Sequence, residues 1–467
     1  MRTAGKNLDL EDLRWLRGQV DGPVLVAGEY GYPEETATFN QVLTHRPVVV
    51  AGATNVGDVQ NAIRLAARRD LPVSVNATGH GAVVSADGSV MISTRRMTGV
   101  AIRPDGLQAR VQAGVRWQQV IDRAAEVGLA PLAGSAPLVG AVGYTLGGGL
   151  SPVLGRSHGY AADHVREFEI VTADGVLRRV SAELEADLFW AVRGGKGNFG
   201  VVTALEFDLF PISRLYGGGL FFDGEHAAAV LHTYREWVAD LPDEVGTSFV
   251  FLRLPDLPSV PEPMRNRLTL HVRFSYLGNA AVGARIIAPI RAAAPAVLDT
   301  VTEMPFRQMA SIHNDPAEPC AAIDRTMLLR ELSKDGVDTL LELAGPDVAA
   351  QDTLLMVEVR LLGGALSRPP AVPNAVGNRA AAFNLFVASI AAPGDEDRIR
   401  AIEARILAAM APWATGGAYA NFLSTEDVTP ELVRKAFDPP GFDRLRRVKA
   451  SYDPGNTFRV NHNIQPS

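Results

Sequence analysis

The spacing of apolar residues changes twice within the first part of the chain. Residues 48–51 form a continuous apolar run, residues 56–69 carry apolar side chains at helical spacing, and residues 71–75 form a second apolar run. This order predicts a β-α-β unit. The second strand leads into small residues around one histidine, His80, at residues 76–81. Consecutive N–H groups in such a turn can bind an anion, whereas an ordinary turn with an exposed histidine is the alternative.

Further short apolar runs, separated by turn residues, continue to about residue 210. Asp174-Gly175 lies between two of them and is typical of a hairpin turn. The runs predict strands at residues 90–93, 100–102, 109–114, 167–172, 176–180 and 204–209. Helical spacing predicts helices at residues 8–18, 117–127 and 184–192.

Two glycine-rich stretches interrupt these elements. Residues 134–149 can neither pack tightly as a helix nor suit a strand interior, so we expect the main chain there to approach a large ligand closely. A flexible linker is the alternative, which the interleaved apolar residues disfavour. Residues 194–203 contain Gly-x-Gly-x-x-Gly, but this stretch lies between a predicted helix and a predicted strand. That is the wrong order for a dinucleotide fingerprint of the Rossmann type.

Strand and helix patterns alternate between about residues 212 and 413, which predicts one sheet with helices on a face. The predicted strands are residues 246–254, 268–276, 354–361 and 383–389, and the predicted helices are residues 226–240, 280–294, 334–343 and 395–410. Proline-rich loops occur at residues 255–263 and 369–373, and two short helices, 430–437 and 442–449, precede the C-terminal stretch.

Composition excludes several classes of function. The 467 residues carry a net charge of -7, which argues against a nucleic-acid or anionic-membrane surface. Cys320 is the only cysteine, so no disulfide can form within the chain. No apolar run reaches about 18 residues and residues 1–10 show no secretory leader, so we expect a cytoplasmic protein. The histidines show no zinc or iron spacing, and oligomeric state is not indicated.

Five motifs occur in the order in which one known family has them. They are the histidine turn at 76–81, Ala136-Pro137-x-Val139-Gly140 with the triple glycine 147–149, the stretch 194–203, Tyr419-x-Asn421, and the terminal stretch 452–463. Together they resemble the berberine-bridge-enzyme-like branch of the FAD-linked oxidases, within the vanillyl-alcohol-oxidase (PCMH-type) flavoproteins. The resemblance covers nearly the whole chain.

The resemblance implies an α+β fold. A PCMH-type FAD-binding domain of two α+β subdomains would comprise residues 1–210, closed by residues 415–467. An inserted α+β substrate domain, an antiparallel sheet covered by helices, would comprise residues 211–414 and lie over the isoalloxazine ring.

The resemblance also implies a set of FAD-binding residues, with the histidine turn at the pyrophosphate. The set comprises Asn76, Ala77, Thr78, Gly79, His80, Gly81, Ala82, Pro137, Val139, Gly140, Gly143, Tyr144, Gly147, Gly148, Gly149, His158, Gly200, Val201, Val202, Tyr419, Asn421, Asn461 and Asn463.

His80 matches the histidine that this family usually bonds to the flavin 8α-methyl carbon. Two departures stand out. The arginine that many members carry before the turn is absent, which removes a positive charge. A second, cysteinyl link is excluded because Ala136 occupies that position, and Cys320 is expected far away in the substrate domain. We therefore expect one covalent link, through His80. Val139 matches the oxygen-gate position, where a small residue favours an oxidase.

Three residues are candidates for the catalytic chemistry. Tyr419 is a possible base if Arg360 or Arg459 lowers its pKa, and otherwise packs the domain junction. Glu358, on an apolar strand, is a rival base if burial raises its pKa, and otherwise pairs with Arg360.

The third candidate, Tyr144, could contact the ring or the substrate. His158 matches a family position that is more often tyrosine. His271 and His313 belong to the predicted substrate domain, where His271 could line the pocket or be structural.

These features favour an FAD-dependent oxidase acting on an alcohol, sugar or amine carbon, or closing a ring, in a small organic substrate. Dioxygen would be the acceptor and natural-product tailoring the setting. A dehydrogenase with another acceptor and a flavin-binding scaffold for non-redox chemistry are the alternatives.

Overall fold

The computed structural model describes residues 8–256, 258, 260 and 262–467. Two sequence predictions fall partly outside the described residues. They are the absence of a secretory leader at residues 1–10, of which residues 1–7 are not described, and the proline-rich loop 255–263.

The N-terminal β-α-β pattern forms a four-stranded sheet. Its strands are β1 (Val24–Leu25), β2 (Val49–Gly52), β3 (Val73–Asn76) and β4 (Val90–Ser93), in the order β1-β2-β4-β3. β2 and β3 each pair in parallel with β4. The connecting helix spans Val56–Arg69, as predicted, because the Asn55 side chain accepts from the N–H of Asp58 at its start and Asp70 ends it in the left-handed region.

A second, antiparallel sheet follows. Its strands are β5 (Val100–Arg103), β6 (Gln108–Gln112), β7 (Val165–Val171), β8 (Leu177–Ser181) and β9 (Val201–Asp208), in the order β5-β6-β9-β7-β8. The predicted hairpin at Asp174-Gly175 is confirmed as the β7–β8 pair. Trp117, Phe168 and Phe189 are fully buried in the core that covers this sheet.

The third sheet has eight antiparallel strands. They are β10 (Arg214–Asp223), β11 (Val245–Arg253), β12 (Leu268–Tyr276), β13 (Ala296–Asp299), β14 (Thr302–Pro305), β15 (Ala322–Leu329), β16 (Met356–Leu361) and β17 (Phe383–Ile390). Their order is β13-β10-β12-β11-β16-β17-β15, with β14 also on β10. Four helices pack on one face, where Phe249, Leu270 and Val359 share a core with Ile287 and Ile402.

The apolar pattern did not indicate β10, β13, β14 or β15. Three consecutive glycines, Gly217 to Gly219, interrupt β10, and such a run rarely forms a strand interior. A Cβ on Gly219 would lie 2.1 Å from Nε2 of His271, so this glycine makes room for a histidine side chain of the neighbouring strand β12.

The helices in chain order are Leu10–Gln19, Tyr32–Thr36, Val56–Arg69, Trp117–Ala125, Ala141–Leu146, Gly155–His158, Ala186–Gly195, Ala227–Trp237, Ala280–Ala293, Lys334–Ala344, Glu396–Met410, Pro430–Arg434 and Pro439–Tyr452. Among the described residues, no helix combines the length and the apolar character needed to cross a bilayer.

The expectation that the glycine-rich stretch 134–149 contains no helix is wrong, because Ala141–Leu146 is helical. Val142 and Leu146 are one turn apart and both buried. The hydroxyl of Thr145 donates to the carbonyl of Ala141 at 2.8 Å. Core packing therefore stabilises a helix that composition disfavours. The α+β class with a helix-covered antiparallel sheet is confirmed, while the boundaries at residues 210 and 415 stay predictions.

Candidate functional site

The histidine turn follows β3 directly. Nδ1 of His80 and Oγ1 of Thr78 share a hydrogen bond of 3.2 Å, and the His80 ring stacks on Phe39 with centroids 3.9 Å apart. Gly79 has a φ of +74°, and a Cβ there would lie 2.6 Å from the Cα of Thr38, so only glycine fits. Asn76 uses its amide to donate to the carbonyl of Glu35 at 2.9 Å, which anchors the turn.

Burial lowers the pKa of His80 to about 4, with the nearby Arg116 adding to the effect. The imidazole is therefore neutral at physiological pH. Nε2 is buried and has no hydrogen-bond partner among the described residues.

Two arginines supply positive charge near this turn, although the family's arginine is missing from it. Nε of Arg95 donates to the carbonyl of Ala77 at 3.0 Å, and Arg116 acts on the pKa of His80. Neither arginine was indicated by the sequence pattern. The one signal for Arg95 was a pair of arginines, Arg95-Arg96, close after a buried strand, and no comparable signal marked Arg116.

The glycine-rich stretch lies against the turn at one end and against Tyr419 and Asn421 at the other. A Cβ on Gly140 would lie 3.5 Å from Oγ1 of Thr78. A Cβ on Gly148 would lie 2.6 Å from the hydroxyl of Tyr419. The side-chain amide of Asn421 donates to the carbonyl of Tyr144 at 2.7 Å. The structure thus brings three of the five motifs together.

The second glycine-rich stretch contributes Lys196, which the sequence did not single out. Its ammonium donates to the carbonyl of Ala420 at 2.9 Å, and burial lowers its pKa to about 8. Lys196 also has a φ of +58°, a strained conformation for a lysine. Asn461 donates to the carbonyl of Gly197 at 3.4 Å, which joins the C-terminal motif to this stretch.

A buried lysine fixes that C-terminal motif in place. Nζ of Lys449 donates to the carbonyl of Asn198 at 2.6 Å, to Oδ2 of Asp453 at 2.6 Å and to the carbonyl of Phe458 at 3.0 Å. Lys449 and Asp453 are both completely buried.

The hydroxyls of Tyr144 and Tyr419 are buried without hydrogen-bond partners among the described residues. Burial raises the pKa of each phenol well above its ordinary value. The condition under which Tyr419 could act as a base, a pKa lowered by Arg360 or Arg459, is not met, because burial raises its pKa and the neighbouring Tyr160 raises it further. Both phenols are therefore neutral donors rather than bases at physiological pH.

Of the two alternatives for Glu358, a raised pKa and an ion pair with Arg360, the structure has the ion pair. Oε1 of Glu358 lies 3.0 Å from Nη1 of Arg273 and 3.1 Å from Nη2 of Arg360. Burial opposes ionisation, but the two guanidinium groups outweigh it and lower the pKa to about 2. The pairing with Arg360, the structural alternative, is present, and a carboxylate held this way is a weak base.

The remaining predicted FAD-binding residues differ in burial and in their contacts. Gly81 and Gly143 are exposed, with open space where a Cβ would stand. The half-buried Val139 and Pro137 accept at their carbonyls from the N–H groups of Trp117 and Gln118. Ala82 is half-buried and follows Gly81, and Gly149 lies against the ring of Tyr144. Oδ1 of Asn463 is buried and has no hydrogen-bond partner among the described residues.

His158 contacts Ser157, His164 and Phe210, outside the other predicted residues. Val201 and Val202 begin β9, following Gly200, and their side chains are buried in two cores. Only the main chain of these strand residues can therefore face a cofactor.

Cys320 falls in the range predicted for the substrate domain, but its main chain lies close to the histidine turn. Its N–H donates to the carbonyl of Phe39 at 3.1 Å, and Phe39 stacks on His80. A long connection between β14 and β15 returns the chain to the histidine turn, which local pattern could not indicate.

Two family descriptions match the chain. The FAD binding domain family matches residues 47–181, and the berberine and berberine-like family matches residues 418–465. The chain is 27% identical over 463 residues to (R)-6-hydroxynicotine oxidase of Paenarthrobacter nicotinovorans, covering 95% of this chain and 98% of that protein. The chain thus carries an FAD binding domain and a berberine-like domain, and its relatives are FAD-linked oxidoreductases.

Solved structures agree on the fold of this oxidoreductase. BBE-like 1 of Physcomitrella patens superposes with a TM-score of 0.84 at 19% identity, covering 97% of this chain and 99% of that one. Phl p 4.0202, a glucose dehydrogenase, superposes with a TM-score of 0.81 at 19% identity, covering 98% and 99%. The predicted PCMH-type FAD-binding fold is thereby confirmed.

The residues present fit FAD. Four predicted FAD-binding residues from separate segments carry buried polar atoms without partners among the described residues, namely Nε2 of His80, Oη of Tyr144, Oη of Tyr419 and Oδ1 of Asn461. Contacts of Gly140 and Gly148 connect the first three segments, and the stretch with Lys196 and Gly197 connects Asn461 to the segment of Tyr419. Buried polar atoms need partners, and a polar ring system with attached phosphates offers them.

Proposed function

We propose that this oxidoreductase is an oxidase that removes a hydride from an alcohol, sugar or amine carbon, or closes a ring, in a small organic substrate. Natural-product tailoring is the proposed setting. The observation that supports it is that adjoining segments each carry a buried polar atom without a partner among the described residues, on His80, Tyr144, Tyr419 and Asn461. When bound, FAD supplies the acceptor for the hydride, and dioxygen then takes the two electrons to give hydrogen peroxide.

The chain's own residues position the reactants. His80 is neutral, and its free nitrogen can form the single covalent link to the cofactor. The Tyr144 and Tyr419 hydroxyls keep their protons, so each can donate a hydrogen bond to a substrate oxygen or nitrogen. Val139, half-buried in the glycine-rich stretch, leaves a small side chain at the proposed path of dioxygen.

Dioxygen as the acceptor is testable with purified holoenzyme. The enzyme is reduced by light without air and then mixed with air-saturated buffer, while a panel of alcohols, sugars and amines is screened for peroxide. Rapid reoxidation and peroxide formed in proportion to substrate consumed support the oxidase. Slow reoxidation with fast reduction of an artificial dye would identify a dehydrogenase. Substrate conversion without any flavin reduction would favour the non-redox scaffold.

A further inference from the structure

One face of the eight-stranded sheet is charged, whereas the other packs on helices. Residues directly opposite each other in neighbouring antiparallel strands share a face. Ser248 is opposite both Arg273 and Arg360, and Val250 is opposite both His271 and Glu358. Strands β12 and β16, on either side of β11, therefore place Arg273, Glu358 and Arg360 on one face.

These three side chains, which we call the guanidinium cluster, are almost completely buried. Arg273, Glu358 and Arg360 are 4%, 3% and 8% exposed. Taking a guanidinium group out of water is costly unless charge and hydrogen bonds compensate for it. One carboxylate is shared between two guanidinium groups in this cluster.

The charges of the cluster do not balance. The two arginines hold the pKa of Glu358 down to about 2, so the carboxylate is ionised. The neighbouring His271 and His313 are neutral, because burial and Arg273 lower their pKa values far below the ordinary range. Two positive charges and one negative charge leave an excess of one positive charge.

Some N–H groups of the guanidinium cluster donate no hydrogen bond among the described residues. Nε of Arg273 is buried and has no partner among the described residues. All the hydrogen bonds that the described residues show for the Arg360 side chain run from Nε and Nη2 to Glu358, none from Nη1. A guanidinium group with free N–H groups is suited to a planar, charged acceptor.

The cluster is connected to the predicted catalytic residue Tyr419 through Phe422. The guanidinium carbon of Arg360 lies 5.8 Å from the ring centre of Phe422, and that ring is 5.7 Å from the ring of Tyr419. Asn384, opposite Arg360 in the sheet, borders a narrow crevice. The other side chains around that crevice are mainly apolar or aromatic and include Leu150, Tyr160, Leu328, Leu362 and Tyr419.

We propose that the substrate of this enzyme carries a carboxylate on an apolar or aromatic body, and that Arg360 and Arg273 bind the carboxylate. This inference rests on the proposed function, since it concerns the substrate of the same site. The single excess positive charge matches one carboxylate. A doubly charged phosphate would leave an excess of negative charge in a buried place, and a protonated amine would meet like charge.

Binding of a matched pair of probes tests the inference without turnover. Phenylacetate and its neutral isostere phenylacetamide are titrated into the holoenzyme, and binding is followed by thermal shift and by the visible flavin spectrum. We expect the carboxylate to bind at least about tenfold more tightly than the amide. Equal affinities, or no binding of the carboxylate, would overturn the inference.

Variants then assign the effect to the cluster. Arg360→Gln should abolish the preference for the carboxylate and leave amide binding unchanged, whereas Arg360→Lys should keep part of it. Glu358→Gln removes the one negative charge and should increase carboxylate affinity. Arg267→Gln, on the surface at the start of β12, is the matched control and should change neither affinity.

A preference that persists in both Arg360→Gln and Arg273→Gln would place the carboxylate elsewhere and overturn the inference. If a variant fails to fold, the relative affinity of the wild-type enzyme for phenylacetate and phenylacetamide still tests the inference. Failure of the proposed function has a different signature. Tight carboxylate binding with no peroxide from any substrate would contradict the oxidase alone, and peroxide formation from neutral substrates only would contradict the carboxylate alone.

Discussion

The side chain of Asn421 donates to the main-chain carbonyl of Tyr144 at 2.7 Å, although 277 positions separate the two residues. The bond ties the C-terminal segment to the glycine-rich stretch. Next to it, a Cβ on Gly147 would lie 1.7 Å from Oδ1 of Asn421. The glycine is thus required because another segment of the chain occupies the space.

Gly147→Ala should displace Asn421 and break its bond to Tyr144. We expect a loss of about 1–3 kcal/mol in the free energy of unfolding, because a methyl group is forced into a filled space. FAD content should fall as well. Thermal unfolding and the ratio of flavin to protein absorbance measure both. Gly18→Ala, where nothing lies within 4 Å of the added Cβ, is the control. Wild-type stability in Gly147→Ala would contradict the contact.

Lys449→Met should destabilise the protein by about 3–5 kcal/mol, because it leaves Asp453 charged and buried without its cation. Denaturant unfolding measures the change. Lys334→Met removes a lysine from a similarly spaced pair with Asp338 that is exposed, and should have little effect. Adding Asp453→Asn to Lys449→Met should restore part of the loss. If the two single lysine variants behave alike, burial of the pair is not what stabilises it.

Removing His80 should release the flavin, whereas removing Cys320 should not. We expect wild type and Cys320→Ser to keep a yellow colour after acid precipitation and His80→Ala to lose it. Mass spectrometry of the tryptic peptide that contains His80 locates the link. A flavin that stays bound through acid in His80→Ala would show that another residue, with Cys320 the first to examine, forms a bond.

Tyr419→Phe should reduce kcat/KM at least about tenfold through loss of a hydrogen-bond donor. Because burial raises the pKa of Tyr419 well above its ordinary value, the reduction should be the same at every pH from about 7 to 9. Initial-rate measurements across this range test it. Tyr30→Phe, on an almost fully exposed residue, is the control. A reduction that grows with pH would indicate that the ionised phenol is the active form.

Glu403→Gln should stabilise the protein at alkaline pH. Burial raises the pKa of Glu403 from its ordinary 4.5 to about 8. The nearby carboxyl groups of Asp324 and Glu426 raise this pKa further, whereas Arg325 and Arg400 lower it. The folded state then binds more protons than the unfolded state between these values, so stability falls as pH rises through this window.

The amide that this substitution introduces cannot ionise. The melting temperature of Glu403→Gln should therefore exceed that of wild type by about 2 °C or more at pH 8 and differ little at pH 5. Calorimetry at the two pH values measures this. Glu342→Gln is a suitable comparison because that residue lies on a different helix, Lys334–Ala344. A constant difference between the variants at both pH values would mean that Glu403 is not protonated in the fold.

Local pattern was sufficient where a single stretch determines the structure. The helix at Val56–Arg69 has its own cap, apolar stripe and end, and the hairpin at Asp174-Gly175 has its own turn. The order of motifs around His80, Tyr419 and Asn421 led to the fold and to FAD, both of which the comparisons confirmed. The pattern failed at the glycine-rich segments, where it predicted neither the strand β10 nor the helix Ala141–Leu146. In both segments, packing against other elements determines the secondary structure.

The sequence by itself determined the β-α-β unit, the helix-covered sheet and the turn that presents His80. Only the tertiary structure decided the protonation states, the neighbours and the charge balance of the site. It placed Arg116 near His80, brought Cys320 back to Phe39, and shared Glu358 between two arginines. The physical reason is that burial and Coulomb energy depend on distances in space, which join residues hundreds of positions apart.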